Sequence, residues 1–162
     1  MICVIQRAVS AAVTVNGETV GSCYSFSSAA GAKPRCLLVM AGIDSGDTEE
    51  TMCKMAEKIT ALRIFEDGTG KMSLSVKDIG GSILSVPNFT LCASCRRGTR
   101  PDFTGAERPE RAKVLYEGFV KALRAAEVPV GSGIFGEHMS IDCALDGPVT
   151  IVLDSEKNWS RM

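Results

Sequence analysis

The sequence predicts an α/β (α+β) fold: a curled, largely antiparallel or mixed β-sheet forming a barrel-like core, with two covering helices. Three observations carry that expectation. Strand-like stretches clearly outnumber helical ones. They do not alternate with helices one for one, which argues against a doubly wound βαβ arrangement. A length of 162 residues suits one core that buries roughly 70% of the unfolded chain's surface, and two full domains would be cramped. A single domain over residues 1–162 is therefore expected.

The elements follow in order. Ile2–Arg7 and Ala11–Val15 alternate or run apolar, and Asn16-Gly17 is a strong hairpin signal before the return along Glu18–Cys23. Residues 24–35 are small, polar and Gly/Pro-punctuated, and read as a loop or insertion. Arg35–Ile43 is a continuous apolar run, typical of a buried strand. A helix is expected from Asp47 or Thr48, where Asp47 and Glu50 have capping-box spacing. Its apolar residues Met52, Met55, Ala56, Ile59 and Leu62 share one face. Lys71–Val76 and Gly81–Val86 read as strands, the second leading into Pro87–Ser94 as continued strand. A second helix is expected from about Ala106 to Ala126, with Ala112, Leu115, Tyr116, Phe119, Val120 and Leu123 on its core stripe. Ser132–Phe135, Met139–Leu145 and Val149–Ser155 read as three closing strands. A short polar tail follows residue 154.

Composition narrows the function. No run of about 18 apolar residues exists, so no membrane span is expected. The N-terminus reads as a strand rather than a signal peptide, which makes the cytoplasm the default compartment. The seven cysteines are scattered, and Cys3, Cys36 and Cys143 sit in apolar runs where a thiol acts as a small hydrophobe. That pattern favours a reduced compartment over a disulfide framework. Net charge is −1, so any contact with nucleic acid is expected to be local.

Three motifs promise more than they deliver. Gly131, Gly133 and Gly136 match the dinucleotide fingerprint GxGxxG, but a strand-like segment follows where a helix is needed. A glycine-rich turn approached closely by other backbone is the better reading. Cys92 and Cys95 form a CxxC without a second pair for zinc, and Cys92 follows a predicted strand rather than opening a helix. His138 is the only histidine. A Ser–His or Cys–His pair would have to use it, and nothing nearby resembles a nucleophile elbow.

Two other segments are chemically unusual. Pro87 removes a ladder donor beside Asn88, Phe89, Thr90 and Leu91, which predicts an edge or a bulge there. Asp146-Gly147-Pro148-Val149-Thr150 joins a permissive glycine to the one residue type with a sizeable cis population, in what is otherwise an ordinary turn.

With those two segments in place, the chain resembles the D-aminoacyl-tRNA deacylases from end to end. The resemblance runs through Ile5-Gln6-Arg7, Val13 to Glu18, Gly46-Asp47-Thr48 and Leu62 to Asp67. It continues through Gly70 to Leu74, Phe89-Thr90-Leu91, Gly98 to Phe103, Phe135-Gly136 and Asp146 to Thr150. It implies hydrolysis of the ester between a D-amino acid and a tRNA 3′ end, with neither cofactor nor metal. It implies a homodimer in which Gly147 and Pro148, joined by a cis peptide, reach into the partner's site. Their carbonyls would then exclude an L side chain and admit a D-amino acid or glycine, a specificity built on rejection.

The same resemblance implies catalysis by backbone and substrate. Phe89 would offer its N–H to the oxyanion, the terminal ribose hydroxyl would help activate water, and Thr90 would position. Pro87, Asn88, Phe135 and Met139 would contact substrate, the last two lining the adenine pocket. Arg7 would steady the Gly-Pro loop. Arg96, Arg97 and Arg100 form the one tight basic cluster, expected near acceptor-stem phosphates, although a solvated loop reads equally well.

This chain departs from the family where it has Pro87-Asn88 in place of Ser-Gln and Leu145 in place of Asn. Pro87 is shared with an animal-type branch that tolerates L-amino acids, which leaves relaxed chirality as one alternative. A tRNA 3′-end-binding protein without turnover is a second, and a CxxC redox protein a third.

Overall fold

The computed structural model describes residues 1–24, 35–96 and 98–157. Strand β1 (Ile2–Val15) organises the sheet. Along one edge it pairs with β8 (Ser140–Asp154), antiparallel, from Ile2 opposite Asp154 to Thr14 opposite Ser140. Along the other edge its first half pairs with β3 (Cys36–Gly42) and its second half with β2 (Glu18–Tyr24), both antiparallel. β6 (Ser82–Pro87) runs parallel to β3, and β7 (Val130–Ser132) parallel to β6. The sheet is therefore mixed, as expected. A separate ribbon joins β4 (Phe65–Glu66) to β5 (Met72–Leu74).

Curling brings β2 against β7 and nearly closes the barrel. Backbone meets backbone there: a Cβ on Gly21 would stand 2.5 Å from the Ser132 carbonyl oxygen, and one on Gly131 2.6 Å from that of Ser22. Only glycine fits such an approach. Of the three GxGxxG glycines, Gly131 thus serves barrel closure: the close backbone approach is as expected, but it is made from strand β7 and not from a turn.

The alternation in β1 and β3 sorts residues between two cores. Cys3, Ile5, Leu37 and Val39 face helices α1 (Glu49–Ala61) and α2 (Pro109–Ala125), where Met55, Ile59, Phe119 and Leu123 are wholly buried. Ala11, Val13, Leu38, Leu84 and Val86 fill the barrel interior. β3 and β6 are covered on both faces, which accounts for the unbroken apolar run of β3; in β6 the buried Ser85 interrupts the run and is satisfied by the Tyr116 hydroxyl. Each wholly buried large aliphatic or aromatic side chain contributes about 2 kcal/mol. Among the described residues no helix is long and apolar enough to cross a membrane.

Several local expectations are corrected. The cap of α1 is Thr48, exchanging bonds with Thr51; the Asp47 carboxylate instead accepts from the Asp44 N–H at 2.7 Å and the Met1 ammonium at 2.8 Å. α2 starts at Pro109, later than expected, because proline is favoured in the first turn, where no N–H partner exists. Phe89–Cys92 is a 3-10 turn, not strand. The last two closing strands are one, β8, interrupted by bulges. Pro87 ends β6 where it pairs with β3 alone, because β7 reaches only to Ser85; the strand is at an edge there, as expected, with no bulge. Cys143 is exposed on β8, while Cys3 and Cys36 are buried; all seven cysteines are free thiols. Nearly all of the expected 24–35 insertion lies outside the described residues, as do Arg97 and the end of the polar tail.

Candidate active site

The site begins where β6 ends. The Asn88 N–H still donates to the Ala41 carbonyl at 2.8 Å, extending the β3–β6 ladder by one bond. The chain then turns, because the Asn88 side chain caps the 3-10 turn: its Oδ1 accepts from the Thr90 N–H at 3.3 Å and from the Thr90 hydroxyl at 2.5 Å. Short polar residues favour such positions for this reason. Phe89 opens the turn, so its N–H has no intrahelical acceptor. Its ring is 59% exposed and meets Phe103 edge-on, centroids 5.3 Å apart.

Above this turn lies a cleft of about 520 Å³, in the size range of small-molecule sites. It brings together Pro87, Asn88, Phe89, Phe135 and Met139, five of the expected site residues. Met139 is held close by Gly133, where a Cβ would meet its Sδ at 2.6 Å. Tyr116 stands behind Phe135, ring centroids 6.2 Å apart, and donates its hydroxyl to the Ser85 carbonyl and Oγ at 3.0 and 3.1 Å. Burial pushes the Tyr116 phenol well above its usual range, so it stays neutral.

Residues not singled out from the sequence complete the wall. Met40 comes from β3, Glu107 from the residues just before α2, and Pro109 from its first turn. They lie far from Phe89 in sequence, and only the packing of α2 over the sheet brings them together. The Glu107 side chain is only 8% exposed. A hydrogen bond from the Arg108 N–H, first, and then the Arg111 guanidinium hold its carboxyl below the usual range. His138 sits on the rim, exposed.

The remaining expected residues lie elsewhere on this subunit. Arg7 is 7% exposed in β1; it donates to the Ile64 carbonyl at 2.8 Å and pairs with Asp146 at 2.6 Å. Opposite it, β8 bulges by four residues, Asp146 to Val149, between the pairs Gln6–Thr150 and Ala8–Leu145. The Gly147–Pro148 peptide within that bulge is cis; both residues are exposed and neither lines the cleft of their own subunit. Arg96 and Arg100 are exposed on the loop after the 3-10 turn. Thr90 is exposed, and among the described residues its hydroxyl bonds to Asn88 alone. At Cys92, burial foremost and Asp44 beside it push the thiol up to about 12, the reverse of an activated redox cysteine.

Residues 4–154 match a family model described as D-Tyr-tRNA(Tyr) deacylase. The chain belongs to this family. The deacylases are hydrolases, and the relatives cover almost the whole chain. A D-aminoacyl-tRNA deacylase of Thermotoga petrophila is 49% identical over 95% of this chain and 97% of its own. That of Thermus aquaticus is 46% identical over 98% of each. Among solved structures, the c-Myc DNA unwinding element binding protein superposes with a TM-score of 0.82 at 37% identity, over 95% of this chain and 98% of that one. The likeness to deacylases drawn from the motifs is thus borne out, and with it the fold.

Proposed function

We propose that this deacylase hydrolyses the ester of D-aminoacyl-tRNA, and of glycyl-tRNA, in the cytoplasm, and spares L-aminoacyl-tRNA. The observation that carries the reading is the cleft over the Phe89 turn: an apolar nucleoside-sized pocket whose lining includes a backbone donor, the Phe89 N–H, that opens the turn and is claimed by no described residue. The terminal adenine would lie against Phe135 and Met139, since any purine face stacks on an aromatic ring. The ester carbonyl would then face the Phe89 N–H. A donor of this kind contributes about 3–4 kcal/mol to the transition state. The substrate's own ribose hydroxyl, held in place, orients the attacking water. Thr90 contributes by fixing Asn88.

Chirality requires a second subunit. Gly147 and Pro148 project from their own subunit without reaching its cleft, and β8 is a fifteen-residue strand paired on one edge only among the described residues. Leu145 and Val152 on it are 50% and 56% exposed. An edge of that length favours pairing or covering by another chain. In the dimer, the Gly147 and Pro148 carbonyls of one subunit would wall the partner's cleft against an L side chain. Arg7, anchored at Ile64 and Asp146, would brace that wall. Arg96, Arg97 and Arg100 would meet acceptor-stem phosphates.

Incubation of the purified protein with D-Tyr-tRNA, Gly-tRNA and L-Tyr-tRNA tests the reading. Release of D-tyrosine and glycine over many turnovers, with the L ester intact, is expected. No D-selective release at stoichiometric enzyme would overturn it. Saturable tRNA binding without turnover would instead favour a binding protein, the reading that Pro87-Asn88 motivates.

A further inference from the structure

A second cleft, of about 340 Å³, opens on the far side of Phe135, between α2 and the segment that follows β7. Phe135 lines both clefts. Lys113, Glu117 and Arg124 from α2 and Ser132 from β7 border the second one. The three charged side chains are exposed, and among the described residues none is in an ion pair. Arg124 spends one donor on the Val130 carbonyl at 3.2 Å and keeps the others. Two cationic donors and one acceptor are thus presented together beside an aromatic ring without satisfying one another.

We infer that this cleft receives the penultimate nucleotide of the tRNA 3′ end, a cytidine. The inference rests on the first cleft holding the terminal adenosine. A nucleotide strand leaving that cleft past Phe135 carries its next phosphate and base directly into the second. Lys113 and Arg124 match the phosphate. Glu117 matches the exocyclic amine of cytosine, which a carboxylate accepts from and which uracil lacks. A net positive lining with one carboxylate therefore reads both the backbone and the base. The basic loop at Arg96 and Arg100 is a different surface, bordering neither cleft.

Equilibrium binding decides this without requiring turnover. The probe is the RNA trinucleotide CCA carrying a 5′ fluorophore, compared with CUA and with AMP as competitors. CCA is expected to bind more tightly than either. In Lys113→Ala/Arg124→Ala, affinity for CCA should fall about tenfold, the size expected for a lost charged contact, and the salt dependence should flatten. Glu117→Gln should bind CCA and CUA alike. The inference is overturned if the wild type does not prefer CCA, if the double variant stays within twofold, or if Glu117→Gln keeps the preference. Hydrolysis of D-Tyr-tRNA by the same preparations reports separately on the deacylase reading. Turnover with an indifferent groove sinks only the cytidine site; groove-dependent CCA binding without turnover sinks only the deacylase.

Discussion

Arg7 and Asp146 meet at 2.6 Å across a strand pair in which four residues of β8 stand opposite one of β1. The bulge would otherwise hang on exposed backbone. A buried guanidinium, tied at its other end to the Ile64 carbonyl, fixes where the bulge begins. The Gly147-Pro148 pair follows directly, so a buried residue of β1 governs where that pair is placed.

Arg7→Ala should therefore raise cleavage of L-aminoacyl-tRNA more than it lowers cleavage of the D ester. The L/D ratio of kcat/KM measures this. A stability loss of about 2 kcal/mol is expected, below the full cost of breaking a buried pair, because Asp146 is 32% exposed and rehydrates. An unchanged ratio in a folded variant would remove Arg7 from chiral selection.

Thr90→Ala should keep activity within about tenfold of wild type, the loss of one positioning hydrogen bond. The Thr90 hydroxyl donates to Asn88 and has no base beside it among the described residues. Single-turnover deacylation checks the prediction; complete loss would make the hydroxyl a nucleophile.

Gly133→Ala tests the shape of the cleft over the Phe89 turn. The added methyl would stand 2.6 Å from the Met139 Sδ and 3.3 Å from the Pro87 Cδ. Met139 can move, so the melting temperature should change little while KM rises about tenfold. At Gly147 the outcome differs. Its φ is +152°, and a Cβ would lie 2.0 Å from the Val149 nitrogen, so Gly147→Ala should rearrange the bulge itself and abolish D-over-L selectivity.

Glu107 supplies a pH signature. Its carboxyl is held below the usual range in the folded state, by the Arg108 N–H and then Arg111. A depressed pKa stabilises above the unfolded value, near 4.5, and that contribution fades as pH falls through the folded value. Glu107→Gln should melt lower than wild type at pH 7, and the gap should narrow as pH falls below the unfolded value near 4.5. Parallel melting curves across that range would contradict the assignment.

Much of this protein is legible in its sequence alone. Alternation along Ile2–Val15, the stripes of Met52–Ile59 and Ala112–Leu123, and the unbroken run Cys36–Ala41 depend on local period and burial, which a linear sequence encodes. The residues around Phe89 and Gly147 were found through the resemblance of their motifs, and five of the expected contacts do share one cleft. What only the tertiary structure decided was how distant segments meet. The cap moved from Asp47 to Thr48 because Asp47 is claimed by Asp44 and Met1. Phe89–Cys92 coils because Asn88 caps it as β6 runs out. Glu107 and Pro109 reach the cleft, and Gly147 leaves it, through packing and bulging between strands far apart in the chain. Periodicity specifies which face of an element is apolar; which partner covers that face is settled by long-range contacts that no local window contains.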